Sequence, residues 1–390
     1  MLNSQKKSFG ILFICVATEL IGFGLIIPIL PQLSLTLKTS PLQLGLLMAA
    51  YSAAQFISAP ILGHLSDIYG RKPLLVLSKI GSLIGYLVLA VSHTYPLFLL
   101  SRLIDGFTGG NISIARAYVA DITSPEDRPK GMAIIGIAFG VGFIIGPAIG
   151  GLLYGMHQRY LIPALVAALC SAIATLVTFF WLPEPPVRRH CESGIGQILH
   201  GFSILKFPII ASICMFQLIY MMLFSGFETT LSVFTHIIFA FTERTNSWLF
   251  VYAGLMTLLV QGTIARKKNL PLIPSLLVGT GCMTLGFGLL SLSSSLLILG
   301  ISLAFLSIGI GIIGAFLPSL FSLYVSPNHQ GKAMGIFEGL GSLSRVLGPI
   351  IGFCLFSLSP RIGYVLFSSI LLLSGLVFFS LLNYLTKKPT

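Results

Sequence analysis

The sequence predicts an all-α membrane protein with twelve transmembrane helices in two six-helix bundles. Three observations support this fold class: the composition is apolar, twelve apolar runs of spanning length follow one another, and the two halves resemble each other. Hydrophobic residues make up 55% of the 390 residues and charged residues only 9%. A soluble domain carries roughly a quarter charged residues, so the composition excludes an ordinary soluble protein.

The apolar runs mark the spans, because crossing a bilayer takes roughly 20 apolar residues. They lie near 9–31, 42–63, 74–92, 96–120, 131–155, 161–182, 208–238, 246–265, 272–292, 296–324, 333–356 and 363–385. The longest polar stretch, 183–207, predicts a cytoplasmic linker. It divides the chain into an N-terminal bundle, 1–182, and a C-terminal bundle, 208–390.

An internal repeat supports this division. A shift of 202 residues superimposes Gly146-Pro147 on Gly348-Pro349, and Ser124-Pro125 on Ser326-Pro327. Two halves of the same orientation, related by an axis along the membrane normal, are one of the repeat types of transporters. We therefore expect a substrate site between the halves, near the middle of the membrane.

The basic residues indicate the topology. With the N-terminus inside, 15 of the 23 Lys and Arg residues lie in the tails and even-numbered loops, and four lie in the opposite loops. This is the bias that the positive-inside rule describes, so we expect both termini in the cytoplasm. It also accounts for the net charge of +12 without a nucleic-acid partner. We therefore expect a multi-pass protein of the plasma membrane, which here means a bacterial inner membrane.

The loop after span two reads GHLSDIYGRK at 63–72. Glycines permit tight turns, an aspartate can face a helix N-terminus, and an arginine can reach a carboxylate. The loop resembles the signature G-x-L-x-D-R-x-G-R-R/K of the major facilitator superfamily, with Ile68 as a departure. In that family the loop closes the cytoplasmic face, so the resemblance implies gating roles for Gly63, Asp67, Gly70 and Arg71.

Span five contains glycines at helical spacing, which let a neighbouring helix pack closely, and a proline, which kinks a helix. These residues are Gly142, Gly146, Pro147, Gly150 and Gly151. The spacing is similar to the antiporter motif of the drug/proton antiporters in the same superfamily. The resemblance implies gating residues of an exporter, whereas packing alone is the other interpretation.

Two acids lie within apolar spans of the N-terminal half. Glu19 is about ten residues, or 15 Å, from the cytoplasmic end of span one, near the bilayer centre. A carboxylate there either pairs with a cation or takes up a proton. The tetracycline/proton antiporters have an acid at the matching place, so the resemblance implies proton coupling by Glu19.

In span four, Arg102 and Asp105 are three residues apart and can pair. Arg102 followed by Gly106 also matches the span-four signature of the family. The pair is assigned to proton coupling with Glu19, and a static ion pair is the alternative. On a helix of 3.6 residues per turn, one arc of about 100° contains Arg102, Asp105, Gly106, Gly109, Ser113 and Arg116. We expect the charges on this narrow face to point inward.

Polar and aromatic side chains on several span faces predict a cavity, because aromatic, Met and Gln side chains around an acid suit an amphipathic ligand. The predicted substrate-binding residues are Tyr51, Gln55, Arg116, Gln217, Tyr220, Phe224, Glu228 and Arg345. Helix packing is the alternative for Phe224. Arg345 equally suits an anionic substrate.

The sequence has no phosphate loop, nucleophile elbow or metal-ligand spacing, so we expect no enzyme activity, no metal and no cofactor. The resemblance implies a proton-coupled exporter of small amphipathic molecules, of the multidrug and tetracycline type. Its expected partners are a small-molecule substrate, protons and the lipid bilayer, and we expect it to work as a monomer. Three alternatives stay open: an exporter of an anionic metabolite such as a carboxylate siderophore, a proton-coupled nutrient symporter, and a non-transporting receptor or scaffold.

Overall fold

The computed structural model describes residues 3–26, 40–157, 160–185, 204–267 and 269–387. These residues form α-helices joined by short loops, as the sequence predicts. The helices are α1 (Asn3–Ile26), α2 (Pro41–Tyr69), α3 (Arg71–Ala90), α4 (Tyr95–Thr108), α5 (Asn111–Ile122), α6 (Arg128–His157), α7 (Leu161–Trp181), α8 (Pro208–Phe239), α9 (Glu243–Arg266), α10 (Leu272–Ser291), α11 (Leu296–Leu323), α12 (Gln330–Leu358) and α13 (Pro360–Lys387).

Local sequence explains where several helices begin and end. The Gln43 N–H donates to Ser40 Oγ at 3.2 Å, and the Ser40 N–H donates to Gln43 Oε1 at 2.9 Å. This capping box satisfies two backbone donors at the start of α2. The helix ends before Gly70, whose φ of 101° is favourable only for glycine. At the starts of α9 and α11, the hydroxyls of Thr242 and Ser295 each accept from the backbone N–H three residues further on.

Eleven candidate membrane spans occur among the described helices, judged by length and apolar composition. The predicted all-α membrane fold is therefore confirmed. The fourth predicted span, 96–120, is described as two shorter helices, α4 and α5, of 14 and 12 residues. A Gly109-Gly110 pair separates them, so the expectation of one continuous helix with a single charged face is wrong beyond Thr108.

Side chains of the neighbouring helices stabilise this break. Gln55 Nε2 donates to the Gly109 carbonyl at 2.6 Å, and Ser58 Oγ donates to the Gly106 carbonyl at 3.1 Å. Ser78 Oγ donates to the Thr108 carbonyl. Free carbonyls are costly inside a membrane, and these three hydrogen bonds compensate at the point where the helix is interrupted. Gln55, which is predicted to bind substrate, therefore also stabilises the interruption of span four.

Contacts between Cα atoms divide the chain into two units. One unit contains residues 1–124, 137–201 and 325–342, and the other contains 125–136, 202–324 and 343–390. The predicted linker, 183–207, is described only at 183–185 and 204–207, so the division at a linker stays a prediction.

Each unit has an apolar core. In the first, Tyr86 and Phe98 are almost fully buried beside small residues of α7. In the second, the Phe367 ring lies 5.4 Å from Phe287 and 5.7 Å from Tyr364, in edge-to-face arrangements. Such ring pairs add to the packing energy, and the pair of Phe287 and Phe367 joins α10 to α13.

Candidate functional site

The first unit contains a group of four buried charges, which we call the charge cluster: Glu19, Lys79, Arg102 and Asp105. Each residue is at most 3% exposed. They come from α1, α3 and α4, and therefore from three different predicted spans. Two acids and two bases make the cluster neutral when all four are ionised.

Glu19 is held by a cation. Lys79 Nζ lies 2.7 Å from Glu19 Oε2, and the Ser82 hydroxyl donates to the same oxygen at 3.2 Å. The Tyr51 hydroxyl donates to Glu19 Oε1 at 3.5 Å. The Glu19 carboxylate was expected either to pair with a cation or to take up a proton, and in this structure it pairs with a cation. Tyr51, predicted to bind substrate, lies beside the predicted proton site.

The sequence analysis missed Lys79. It is a lone cation in the apolar run 74–92, which is itself a signal, because a charge inside a membrane needs a partner. Nothing in the sequence indicates which of the distant acids that partner is.

Arg102 and Asp105 form the predicted pair. Arg102 Nη2 lies 3.6 Å from Asp105 Oδ2, and the guanidinium carbon lies 5.8 Å from the centre of the Tyr86 ring. The separation of 3.6 Å is an electrostatic contact and is too long for a hydrogen bond. Both Asp105 carboxylate oxygens lack a hydrogen-bond partner within the described part of the chain.

Arg116 is paired as well. Its guanidinium contacts the carboxylate of Glu338, about two turns into α12, and lies 5.8 Å from the centre of the Phe337 ring. Ser342 Oγ donates to Gln55 Oε1 at 2.9 Å in the same region. An anionic substrate would therefore have to displace Glu338 in order to bind Arg116.

The second unit contains the other predicted binding residues. Gln217 and Tyr220 are buried on α8, and Phe224 is half-buried one turn further along. Glu228 and Arg345 interact electrostatically. Their roles in substrate binding stay predictions.

Asp67 lies in the last turn of α2, within the segment 63–72 that is predicted to gate, and it binds the start of α12. Asp67 Oδ1 accepts from the Gly331 N–H at 2.8 Å, and Oδ2 accepts from the Lys332 N–H at 2.7 Å. An acid at a helix N-terminus satisfies free backbone donors and is favoured by the helix dipole. We call this contact the Asp67 clip.

Arg71 holds the clip in place. Its guanidinium lies 2.7 Å from Asp67 Oδ1 and 2.9 Å from Asp121 Oδ2. Glu184 accepts from the Arg71 and Lys72 N–H groups at 2.6 and 2.8 Å, at the start of α3. Asp121 and Glu184 were not predicted as partners of the loop. The sequence feature that could have indicated them is their position directly after predicted spans four and six.

Close backbone approaches explain several of the predicted glycines. A Cβ on Gly63 would lie 2.2 Å from the Gly331 carbonyl oxygen, and one on Gly70 would lie 2.8 Å from Glu184 Oε1. The Gly331 carbonyl is backbone and cannot move aside, so Gly63 needs glycine, whereas Gly70 needs it because of its positive φ.

On α6, Gly142, Gly146 and Gly150 form a seam against α1, which we call the glycine seam. A Cβ at these positions would lie 2.4 Å, 2.8 Å and 2.3 Å from the nearest α1 atom. Pro147 and Gly151 belong to the same helix. The close packing that the sequence predicts for this motif is present at these three glycines.

Replacing Asp67 with Asn tests the clip. The amide has only one acceptor oxygen, so one buried N–H of α12 loses its partner, at a cost of about 1–3 kcal/mol. We expect faster hydrogen–deuterium exchange at Gly331 and Lys332. Asp127→Asn is the matched control, because the Asp127 side chain is 43% exposed and pairs locally with Lys130. Equal exchange in both variants would show that the clip contributes little.

Comparisons with known proteins agree with this fold and loop. The model of the Major Facilitator Superfamily matches residues 12–349. Mouse Major facilitator superfamily domain-containing protein 10 is 30% identical over 422 residues, which cover 91% of this chain and 88% of the mouse protein. The class B tetracycline resistance protein of Escherichia coli is 29% identical, covering 90% of this chain and 88% of its own.

A solved structure is also similar. The crystal structure of the human organic anion transporter MFSD10 (TETRAN) superimposes with a TM-score of 0.86 at 27% identity, covering 97% of this chain and all of that one. The family and its fold are those of transporters and not of enzymes. Taken with the matched family model, this places the chain in the major facilitator superfamily of multi-pass membrane transporters.

Proposed function

We propose that this transporter exports small amphipathic molecules in exchange for protons, by alternating access. The observation that carries the proposal is the charge cluster, in which Glu19 and Asp105 are buried inside membrane spans. Ionisable groups at such places are expensive, and in transporters they commonly belong to proton or ion pathways. The similarity to a tetracycline resistance protein supports the same direction of transport.

In this proposal the proton acts on contacts between helices. When Glu19 takes up a proton, its ion pair with Lys79 is lost and the tie between α1 and α3 weakens. The Asp67 clip is one contact that has to open and re-form during the cycle. One proton moving down about 100 mV supplies about 2.3 kcal/mol, enough for a roughly fifty-fold gradient of a neutral substrate.

The remaining assignments belong to the same proposal. Tyr51, Gln55, Gln217, Tyr220 and Phe224 line the substrate path, where Gln55 also keeps its hydrogen bond to the broken span. The same proposal includes both termini in the cytoplasm, a plasma-membrane location and action as a monomer. Its basis is the charge distribution and the family architecture. The proton gradient is the energy source, and the transporter needs no cofactor.

Proton movement in inside-out vesicles tests the proposal. Cationic dyes, tetracycline-like compounds and polycarboxylates are added in turn to vesicles that hold a pH gradient. We expect at least one class to collapse the gradient with the wild-type protein, and the response to be lost in Glu19→Gln. Glu19→Asp is the control, because it keeps a carboxylate and should keep the response. Equal responses of all three proteins would contradict the proton role of Glu19.

Transport of organic anions is the second candidate. The observation that favours it is the likeness to human MFSD10, whose crystal structure is titled as that of an organic anion transporter. Arg345, half-buried near Glu228, is the cation for such a substrate. In the vesicle experiment, a response to polycarboxylates alone would favour this candidate over an exporter of amphipathic cations.

A further inference from the structure

In the function proposed above, Lys79 only loses its ion pair when Glu19 takes up a proton, and the fate of its buried charge is left open. It is fully buried on α3, with Nζ 2.7 Å from Glu19 Oε2. Its backbone carbonyl accepts a hydrogen bond from Ser171 Oγ on α7 at 3.1 Å, so the backbone at this residue is tied to a second helix. A cation enclosed in this way depends on its carboxylate partner.

Two glycines bring the carboxylates close to Lys79. A Cβ on Gly22 would lie 2.4 Å from the Tyr86 hydroxyl, which shows how closely α1 approaches α3 one turn after Glu19. A Cβ on Gly85 would lie 3.0 Å from Asp105 Cβ, which shows the same for α3 and α4. Lys79 is therefore on the helix that packs against both acids.

Lys79 has a second carboxylate within electrostatic reach. It interacts with Asp105 as well as with Glu19. The Ser82 hydroxyl, one turn along α3, donates to Glu19. The Asp105 oxygens are 3.6 Å or more from Arg102 and have no hydrogen-bond partner among the described residues, so Asp105 has capacity for another donor.

The surroundings of Lys79 contain few other ionisable groups. Those that face it or its two carboxylates from the packed helices are Cys15 and Glu19 on α1, Tyr51 on α2, Tyr86 on α3, Arg102 and Asp105 on α4, and Cys170 on α7. Because the cluster is neutral in the described state, a proton on Glu19 gives it one positive charge and leaves Lys79 without its partner.

We propose that Lys79 is a positioning residue for the proton site: it competes with the proton for Glu19 and passes to Asp105 when Glu19 is protonated. The inference rests on the proposed proton-coupled function. Proton binding then becomes a change of ion-pair partner, from a contact between α1 and α3 to a contact between α3 and α4. The proton enters as an O–H bond on Glu19, and no other bond is formed or broken.

The infrared band of the protonated carboxyl tests this without substrate or gradient. The Glu19 band is defined as the one lost in Glu19→Gln, and its pH midpoint is measured in the purified protein. In Lys79→Met we expect this midpoint to rise by about 1–3 pH units, since a nearby cation favours the carboxylate. Lys79→Arg keeps the charge and should leave the midpoint close to that of the wild type. An unchanged midpoint in Lys79→Met would overturn the proposal.

A second variant tests the transfer and avoids an unpaired buried charge. Arg102→Gln combined with Asp105→Asn removes a cation and an anion together, so the net charge of the cluster is preserved. With no acceptor for Lys79, we expect the Glu19 midpoint to fall, by about one pH unit. An unchanged midpoint would show that Lys79 does not move to Asp105, even if Lys79→Met fails to fold.

The two proposals fail in different ways. If Glu19→Gln vesicles still respond like the wild type, the proton-coupled function is wrong whatever the infrared band shows. If the vesicles confirm coupling but the pH midpoint of the Glu19 band is unchanged in Lys79→Met, only the role of Lys79 is wrong.

Discussion

Replacing Arg71 with Met is expected to destabilise the protein by about 3–5 kcal/mol, because it leaves two buried carboxylates without their cation. Arg71 is fully buried, and its guanidinium contacts both Asp67 and Asp121. Without it, repulsion between the two acids also weakens the Asp67 clip. Thermal melting of the detergent-solubilised protein measures the effect.

The adjacent Lys72 provides the matched control. Its Nζ lies 5.8 Å from the centre of the Phe179 ring, an interaction worth about 0.5–1 kcal/mol. Lys72→Met removes the same charge from the same turn and should lower the melting temperature only slightly. If the two variants have the same melting temperature, the Arg71 contacts do not stabilise the fold, and the loop contributes only to topology.

Replacing Gly146 with Leu is expected to lower the transport rate at least tenfold, while the protein still inserts into the membrane. A tenfold loss corresponds to a rise of roughly 1.4 kcal/mol in the activation free energy. The nearest neighbours of a Cβ there are backbone atoms of Gly24 and Ile21, at 2.8 and 2.9 Å, which no rotamer change can move. The glycine seam would have to open. Since Leu20 lies in the seam, the adjacent Glu19 would shift away from Lys79.

Gly10→Leu is the control for this experiment. It lies on α1, outside the seam, and a Cβ on Gly10 would meet no other atom within 4 Å. Substrate flux in vesicles, divided by the amount of inserted protein, should be near that of the wild type. Normal flux in Gly146→Leu would contradict the need for close packing of α6 and α1.

Predictions that depend on neighbours in sequence agree with the structure. The helices follow from apolar runs of spanning length, and the pair of Arg102 and Asp105 follows from their spacing of three residues. The close approaches at Gly63 and in the glycine seam follow from motifs that contain glycine where a side chain has no room. In each case the local pattern contains the physical requirement.

The break in span four shows where local patterns were insufficient. The apolar run at 96–120 is continuous in hydropathy, and glycines are common in membrane helices. The Gly109-Gly110 pair permits an interruption. Gln55, Ser58 and Ser78 stabilise it, because they reach the freed carbonyls from other helices.

The sequence by itself determined that this chain is a twelve-span transporter of the major facilitator superfamily, with an acid in span one and the motif 63–72 after span two. Membrane insertion depends on apolar length and loop charge, which are properties of the chain taken in order. Only the tertiary structure decided which charges pair between different helices. Lys79 with Glu19, Arg116 with Glu338, and Arg71 with Asp121 are 60, 222 and 50 residues apart in sequence. Their partners are set by which helix faces meet, because a buried charge is stable only beside its opposite and the packing of whole helices determines where that opposite lies.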